Sequence, residues 1–256
     1  MSARVWLTTH EPSWLWERGV PDLMLSRRRL ERVKRWRPAL ADWVLDSGGF
    51  TELSMFGRWS ISSATYVAFV QRCVDEIGRL VWAAPMDWMC EPFMLERTGQ
   101  TVVDHQGYTL NNYLVLRMMA PDLPIIPVLQ GWQPGDYLRH ADAYEAADVD
   151  LAALPVVGVG SVCRRQATES IVDVVGPLHD RGYRVHLFGA KASSAHVVAG
   201  IAESTDSLAW SFRARQGRVR LPGCTHATCA NCVRWAEEWR RRLQQRMDGP
   251  WQPRLA

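Results

Sequence analysis

Asp42-Trp43-Val44-Leu45-Asp46-Ser47-Gly48-Gly49-Phe50 is a short apolar run that stops at an acid, a hydroxyl and two glycines. A run this short, bounded by turn formers, reads as a buried strand, and the polar residues after it belong to a loop. The pattern repeats outward in both directions. Further strands are expected at residues 4–8, 80–85, 125–130, 151–158, 184–189 and 207–212. Between them lie longer stretches with apolar spacings of three and four, as in Tyr66, Val67, Val70, Val74 and Ile77, which predict helices over 62–78, 101–119, 136–147, 168–180 and 194–204. Strands alternating with helices of this size make an α/β protein with a parallel sheet, either an eight-stranded barrel or an open doubly wound sheet.

The 256 residues, 47% apolar and 22% charged, suit one compact domain with a small appendage and exclude collagen-like, coiled-coil and disordered chains. No uncharged apolar stretch approaches the roughly 18 residues needed to cross a bilayer, and residues 1–12 lack the pattern of a secretory signal. No membrane partner and a cytoplasmic location are therefore expected. Charge is unevenly spread, with 28 Arg against 2 Lys. Arg27, Arg28, Arg29, Arg32, Lys34, Arg35 and Arg37 face only Glu31, and a second block runs from Arg213 and Arg215 through Arg240, Arg241 and Arg242 to Arg246. Guanidinium groups donate paired hydrogen bonds to phosphate, so these blocks point to a polyanion, with a solvated arginine-rich face as the plain alternative.

Polar residues gather where the strands end: Asp46-Ser47-Gly48-Gly49-Phe50, Asp87, Gln130-Gly131, Gly158 and Gly160, then Gly189 with Lys191. Parallel α/β folds bind ligands at the carboxyl ends of their strands, so these residues are expected to line one pocket. Gly158-Val159-Gly160 lacks the third glycine and the early position of a dinucleotide fingerprint, which excludes that reading.

Near the end, Cys224-Thr225-His226-Ala227-Thr228-Cys229-Ala230-Asn231-Cys232 offers four soft or borderline ligands within nine residues. Cys224, His226, Cys229 and Cys232 would close a tetrahedral zinc site with no open position for water, so the Zn2+ is structural. Cys73, Cys90 and Cys163 read as ordinary thiols.

Taken in order, Asp46-Ser47-Gly48-Gly49-Phe50, Ala84-Pro85-Met86-Asp87, Pro127-Val128-Leu129-Gln130-Gly131, Gly158-Val159-Gly160-Ser161 and Asp206-Ser207-Leu208-Ala209-Trp210, followed by the cysteine cluster, resemble the tRNA-guanine transglycosylase superfamily. Within it they look like the shorter enzymes of phages and bacterial modification islands, which insert 7-deazaguanines into DNA. The resemblance implies a (β/α)8 TIM-type barrel over residues 1–212, with its eighth strand hidden near 218–221 or altered. It also implies a zinc-binding loop and basic helix packed on the barrel over 213–256.

The chemistry the resemblance implies is a double displacement. One carboxylate forms a sugar ester, and a second moves protons on the departing and arriving bases. Asp206 matches the nucleophile and Asp46 the general acid/base. Asp87 matches the acceptor for the guanine N1 and N2 hydrogens. Gln130 and the backbone at Gly158 and Gly160 match the donors, and Ser47, Gly48 and Phe50 belong to the same substrate pocket. Thr51 stands where the family usually has Gln. Arg213, Arg215, Arg240 and Arg241 would grip the nucleic acid, DNA in preference to tRNA, while a 7-deazaguanine base such as 7-cyano-7-deazaguanine enters. Two alternatives stay open, a tRNA enzyme and a catalytically silent nucleic-acid-binding subunit; a homodimer is compatible with the sequence.

Overall fold

A computed structural model describes residues 3–162, 169–189 and 199–249. Its eight strands are β1 (Arg4–Thr9), β2 (Leu23–Ser26), β3 (Trp43–Asp46), β4 (Leu80–Ala83), β5 (Val128–Leu129), β6 (Val157–Val159), β7 (Val185–Leu187) and β8 (Ser204–Ser207). They run parallel in the order β4-β3-β2-β1-β8-β7-β6-β5. A parallel bridge between Ala83 and Ile125 joins the two ends of the sheet, with the Ala83 N–H 2.8 Å from the Pro124 carbonyl and the Ile126 N–H 3.0 Å from that of Ala83. The sheet thereby curls into a TIM-type barrel.

Successive strand residues face opposite sides, so each strand contributes one set of side chains to the barrel interior and one to the helices. The interior plug is Trp6, Met24, Val44, Trp82, Ile126 and Val156, with Phe188 against it. The other parity, Val5, Leu7, Leu23, Leu25, Trp43 and Leu45, joins the outer core. Around the barrel lie α1 (Arg27–Leu30), α2 (Gly49–Phe56), α3 (Ser63–Arg72), α4 (Pro92–Thr98), α5 (Val102–Met119), α6 (Pro134–Ala146), α7 (Glu169–Asp180), α8 (Ala209–Gln216) and α9 (Val233–Asp248). The helix expected over 62–78 is α3, capped by the Ser62 hydroxyl on the Thr65 N–H, and it continues as a wider turn over Cys73–Ile77. α9 lays Trp235, Ala236, Trp239, Leu243 and Met247 into the outer core and packs against β1 and α8.

Two strands differ from expectation. The missing eighth strand is β2, not a segment near 218–221; its Leu23-Met24-Leu25 core is too brief to stand out beside the arginines that follow. β8 is not at 207–212 but at Ser204-Thr205-Asp206-Ser207, four polar residues that are all buried. Such a strand survives because its hydroxyls are satisfied: Thr205 donates to the Leu187 carbonyl at 3.0 Å, and Ser204 bonds His186 Nδ1 at 2.8 Å. Trp210 and Phe212, which suggested a strand, lie on α8. Lys191, Cys163 and residues 194–198 of the helix expected over 194–204 lie outside the described residues.

One member of the first basic block is not what its charge suggests. Arg27 is fully buried, donates Nε to the Ser47 carbonyl at 3.0 Å and pairs through its guanidinium with Glu31 and Glu52. Glu52, equally buried, accepts further from the Ser60 N–H at 2.9 Å and from Arg28 at 3.1 Å. This ion pair holds the loop after β3 by its backbone. Because removing one partner strands a buried charge, Glu52→Ala should lower unfolding free energy by about 3–5 kcal/mol in urea titrations, whereas Arg27→Met with Glu52→Leu should recover most of the loss.

Candidate active site

The inward positions at the carboxyl ends of the strands are polar. Asp206 on β8 lies beside Trp6 of β1, Thr8 of β1 beside Met24 of β2, and Ser26 of β2 beside Asp46 of β3. Asp206 and Asp46 thus sit on one rim with Thr8 and Ser26 between them. Asp206 is buried and held at both oxygens: Thr8 Oγ1 donates to Oδ2 at 2.5 Å and the Gly189 N–H to Oδ1 at 2.7 Å. Asp46 accepts from the Gly48 N–H at 3.2 Å and from the Ser26 hydroxyl. Burial, then the charge of Asp87 and after it that of Asp206, pushes Asp46 up to about 7. A carboxyl there can both give and take a proton at neutral pH.

Asp87, on the loop after β4, accepts from Ser47 Oγ at 3.0 Å and from Gln130 Nε2 at 2.7 Å. Burial, with a smaller push from Glu91, raises it to about 6 in spite of those two donors. Gln130 is fixed from behind by Ser161 Oγ, 2.8 Å from its Oε1. The glycines serve this packing directly. A Cβ on Gly160 would lie 2.2 Å from Gln130 Nε2, and one on Gly158 would lie 2.7 Å from the Phe188 ring and 2.8 Å from Val128. Gly48 has a φ of 81°, and a Cβ on it would lie 2.7 Å from Arg28 Cγ, so the turn after Ser47 requires glycine. Phe50, 44% exposed, opens α2 at the mouth with its ring 6.0 Å from Phe93. Trp88 packs on His105 and Tyr108.

Asp46, Asp206, Ser47, Gly48, Phe50, Asp87, Gln130, Gly158 and Gly160 therefore gather at one end of the barrel. Ser161, which closes the Gly158-Val159-Gly160-Ser161 motif, joins them through its side chain, as do Thr8, Ser26 and His186, which the sequence reading does not single out. A polar residue closing an apolar run would have marked Thr8 and Ser26; nothing in chain order marks His186. The arginines divide. Burial, then the charges of Arg29 and Arg215, depresses His10 just beyond β1. Arg213 faces a groove between α8 and α9 lined by Val219, Trp235, Trp239 and Arg242. Arg240 donates to the Pro21 carbonyl at 2.6 Å and lies 3.5 Å from Asp22, at the opposite end of the barrel, while Arg241 pairs with Glu238 on its own helix.

The ligand atoms of Cys224, His226, Cys229 and Cys232 lie within 4.8 Å of one another. Cys224 Sγ is 3.9 Å from both Cys229 Sγ and Cys232 Sγ, and His226 Nε2 is 3.1 Å from Cys229 Sγ. Two thiolates at about 2.3 Å on a tetrahedral ion stand about 3.8 Å apart, so the sulfur spacing fits a metal of that kind. The Leu221 N–H at 3.2 Å from Cys229 Sγ supplies the outer hydrogen bond such sites use. The cluster could hold a metal ion.

The raised carboxyl of Asp46 has a thermodynamic consequence. Its folded value lies above its unfolded one of 3.8, so stability is intact below about pH 4 and declines as pH rises toward 7. Asp46→Asn, which cannot ionise, should melt like the parent near pH 4 and higher than it at pH 8, by about 2–4 °C per kcal/mol of relieved cost.

The family model for deoxypurine in DNA protein A, DpdA, matches residues 1–254. No curated protein matches the sequence significantly. Among solved structures, the YdjI aldolase from Escherichia coli K12 is similar over 96% of this chain and 88% of its own, at 9% identity and a TM-score of 0.37. Because the family match runs over nearly the whole length, the chain belongs to the deoxypurine in DNA protein A family, a family of DNA modification of the transglycosylase type.

Proposed function

We propose that the chain exchanges guanine in DNA for a 7-deazaguanine, such as 7-cyano-7-deazaguanine, through a covalent aspartyl-sugar intermediate. The observation that carries this reading is the meeting of Asp206, anchored at both oxygens, with an Asp46 poised near neutrality on the same rim. An Asp206 oxygen attacks the anomeric carbon as the glycosidic bond breaks, and Asp46 gives its proton to the departing guanine. Asp46 then takes the proton of the incoming base, whose nitrogen attacks the same carbon and releases Asp206 as a carboxylate. No atom is lost to water, and both acids end as they began.

Asp87 accepts hydrogens from the guanine-like edge while Gln130, locked by Ser161, keeps the acceptor oriented. Adenine presents no such pair of hydrogens, so the pocket selects guanine-like bases by leaving its buried acceptor unpaired with anything else. DNA is the acceptor we favour, on the family match. Arg215, whose charge reaches His10 beyond β1, is the arginine we assign to a phosphate of the DNA. Cys224, His226, Cys229 and Cys232 hold a structural Zn2+, which bears on folding rather than on the exchange.

Denaturing electrophoresis with labelled DNA, beside a radiolabelled guanine exchange assay, tests the mechanism. Asp206→Asn should abolish both adduct and exchange, because an amide is too poor a nucleophile. Asp46→Asn should slow exchange by roughly 100- to 10,000-fold while DNA binding persists. Unlabelled tRNA that outcompetes DNA would reverse the choice of acceptor.

Purified protein should carry about one zinc per chain by elemental analysis, and Cys229→Ser should lose the metal together with thermal stability. Full zinc content in a Cys224, Cys229 and Cys232 triple variant would overturn the assignment.

A further inference from the structure

We propose that His186 is a positioning residue for Asp206, presenting an Nε2–H to the carboxylate oxygen that does not attack. This rests on the reading of Asp206 as nucleophile. His186 lies wholly buried on the inner face of β7, its ring centroid 4.8 Å from Trp82 and 4.7 Å from Phe188. It is the cross-strand partner of Ser204, and Asp206 is two residues further along β8 on the same face. The imidazole therefore spans from its own partner to the next inward side chain. Nδ1 is 2.8 Å from Ser204 Oγ, whereas Nε2 has no hydrogen-bond partner among the described residues and stands 3.6 Å from Asp206 Oδ1.

A ring nitrogen buried without a partner is costly, and what it faces decides which nitrogen carries the proton. A lone pair on Nε2 would point at a carboxylate oxygen, lone pair against lone pair. With the proton on Nε2, the Ser204 hydroxyl donates to Nδ1 and the N–H aims at Oδ1. The 3.6 Å gap is longer than a hydrogen bond, as catalytic contacts often are before substrate binds. Oδ1 then takes two N–H groups, from Gly189 and His186, and among the described residues Oδ2 takes only the Thr8 hydroxyl.

This asymmetry assigns the two oxygens. Oδ2 bonds to the anomeric carbon, and Oδ1 becomes the ester carbonyl. When the incoming base displaces the sugar, the electron pair of the breaking C–O bond returns to the carboxylate, and the two N–H groups on Oδ1 stabilise that charge. His186 keeps its proton throughout.

The test has one arm independent of turnover. Nitrogen-15 NMR of the histidine rings in the intact protein should find a proton on Nε2 of His186, with resonances that shift in Asp206→Asn. An Nε2 without a proton overturns the proposal. In the exchange assay, His186→Phe should lower kcat roughly 10- to 100-fold with KM for DNA little changed, and His186→Gln, whose amide reaches the Nε2 position, should recover more than His186→Asn. Wild-type kcat in His186→Phe, or equal kcat in the Gln and Asn variants, also overturns it. Should His186→Phe fail to fold, the NMR and the Gln and Asn pair still decide. A protonated, Asp206-coupled Nε2 alongside an Asp206→Asn enzyme that still exchanges guanine would sink the mechanism while leaving the contact in place.

Discussion

The period of two along a parallel strand governs everything at the mouth of this barrel. Once the bridge between Ala83 and Ile125 curls the sheet on itself, the parity of each residue determines whether it meets the interior or the helices. The plug residues Trp6, Met24 and Val44 are followed two positions later by Thr8, Ser26 and Asp46, so the apolar floor and the polar rim are successive layers of one register. A shift of one residue in β8 would turn Asp206 outward and Thr205 inward. The pairing of β8 with β1, and of β1 with β2 and β3, therefore does for Asp206 and Asp46 what loops alone could not, holding two acids from opposite ends of the sequence on the same rim.

Bringing carboxyls together carries an electrostatic cost. Asp46 and Asp87 both rise toward neutrality, first through burial and then through neighbouring acids. A site built for stability would separate or neutralise them. Here the loop carrying Asp46, Ser47 and Gly48 is instead braced from beneath by the buried pair of Arg27 and Glu52, which grips the Ser47 carbonyl. The charged brace lies behind the clustered carboxyls, where it restrains their backbone without standing among them.

Much of this was legible in the sequence. Asp46, Asp87 and Gln130 announce themselves because a polar residue abruptly ends an apolar run, and the Cys-His spacing marks a cluster that could hold a metal ion. The failures have physical causes. β8 is built from hydroxyls and an acid whose partners are on other strands, so no hydropathy pattern reveals it. β2 is short, and Arg27 inherits the appearance of its solvated neighbours because Glu52, the buried one of its two counter-charges, lies 25 residues away. His186 could not be linked to Asp206, because that relation is a strand pairing. Arg240 and Arg241 look like Arg215 in the chain, but α9 runs down the side of the barrel and carries them to the other end.

That course of α9 matters for how the ring is assembled. Asn231, at the head of the helix, bonds Glu11 just beyond the top of β1 at 2.8 Å, and Arg240 lower down holds Pro21 and Asp22 near its base. The seam between β1 and β8 pairs residues 200 apart in the chain, among the slowest kinds of contact to form. The helix straps the first of those strands along its length after the last has been made. The cysteine loop at its head is thus a buckle on the barrel's longest-range seam, and slackening it would be felt first at Thr8 and the carboxylate it holds.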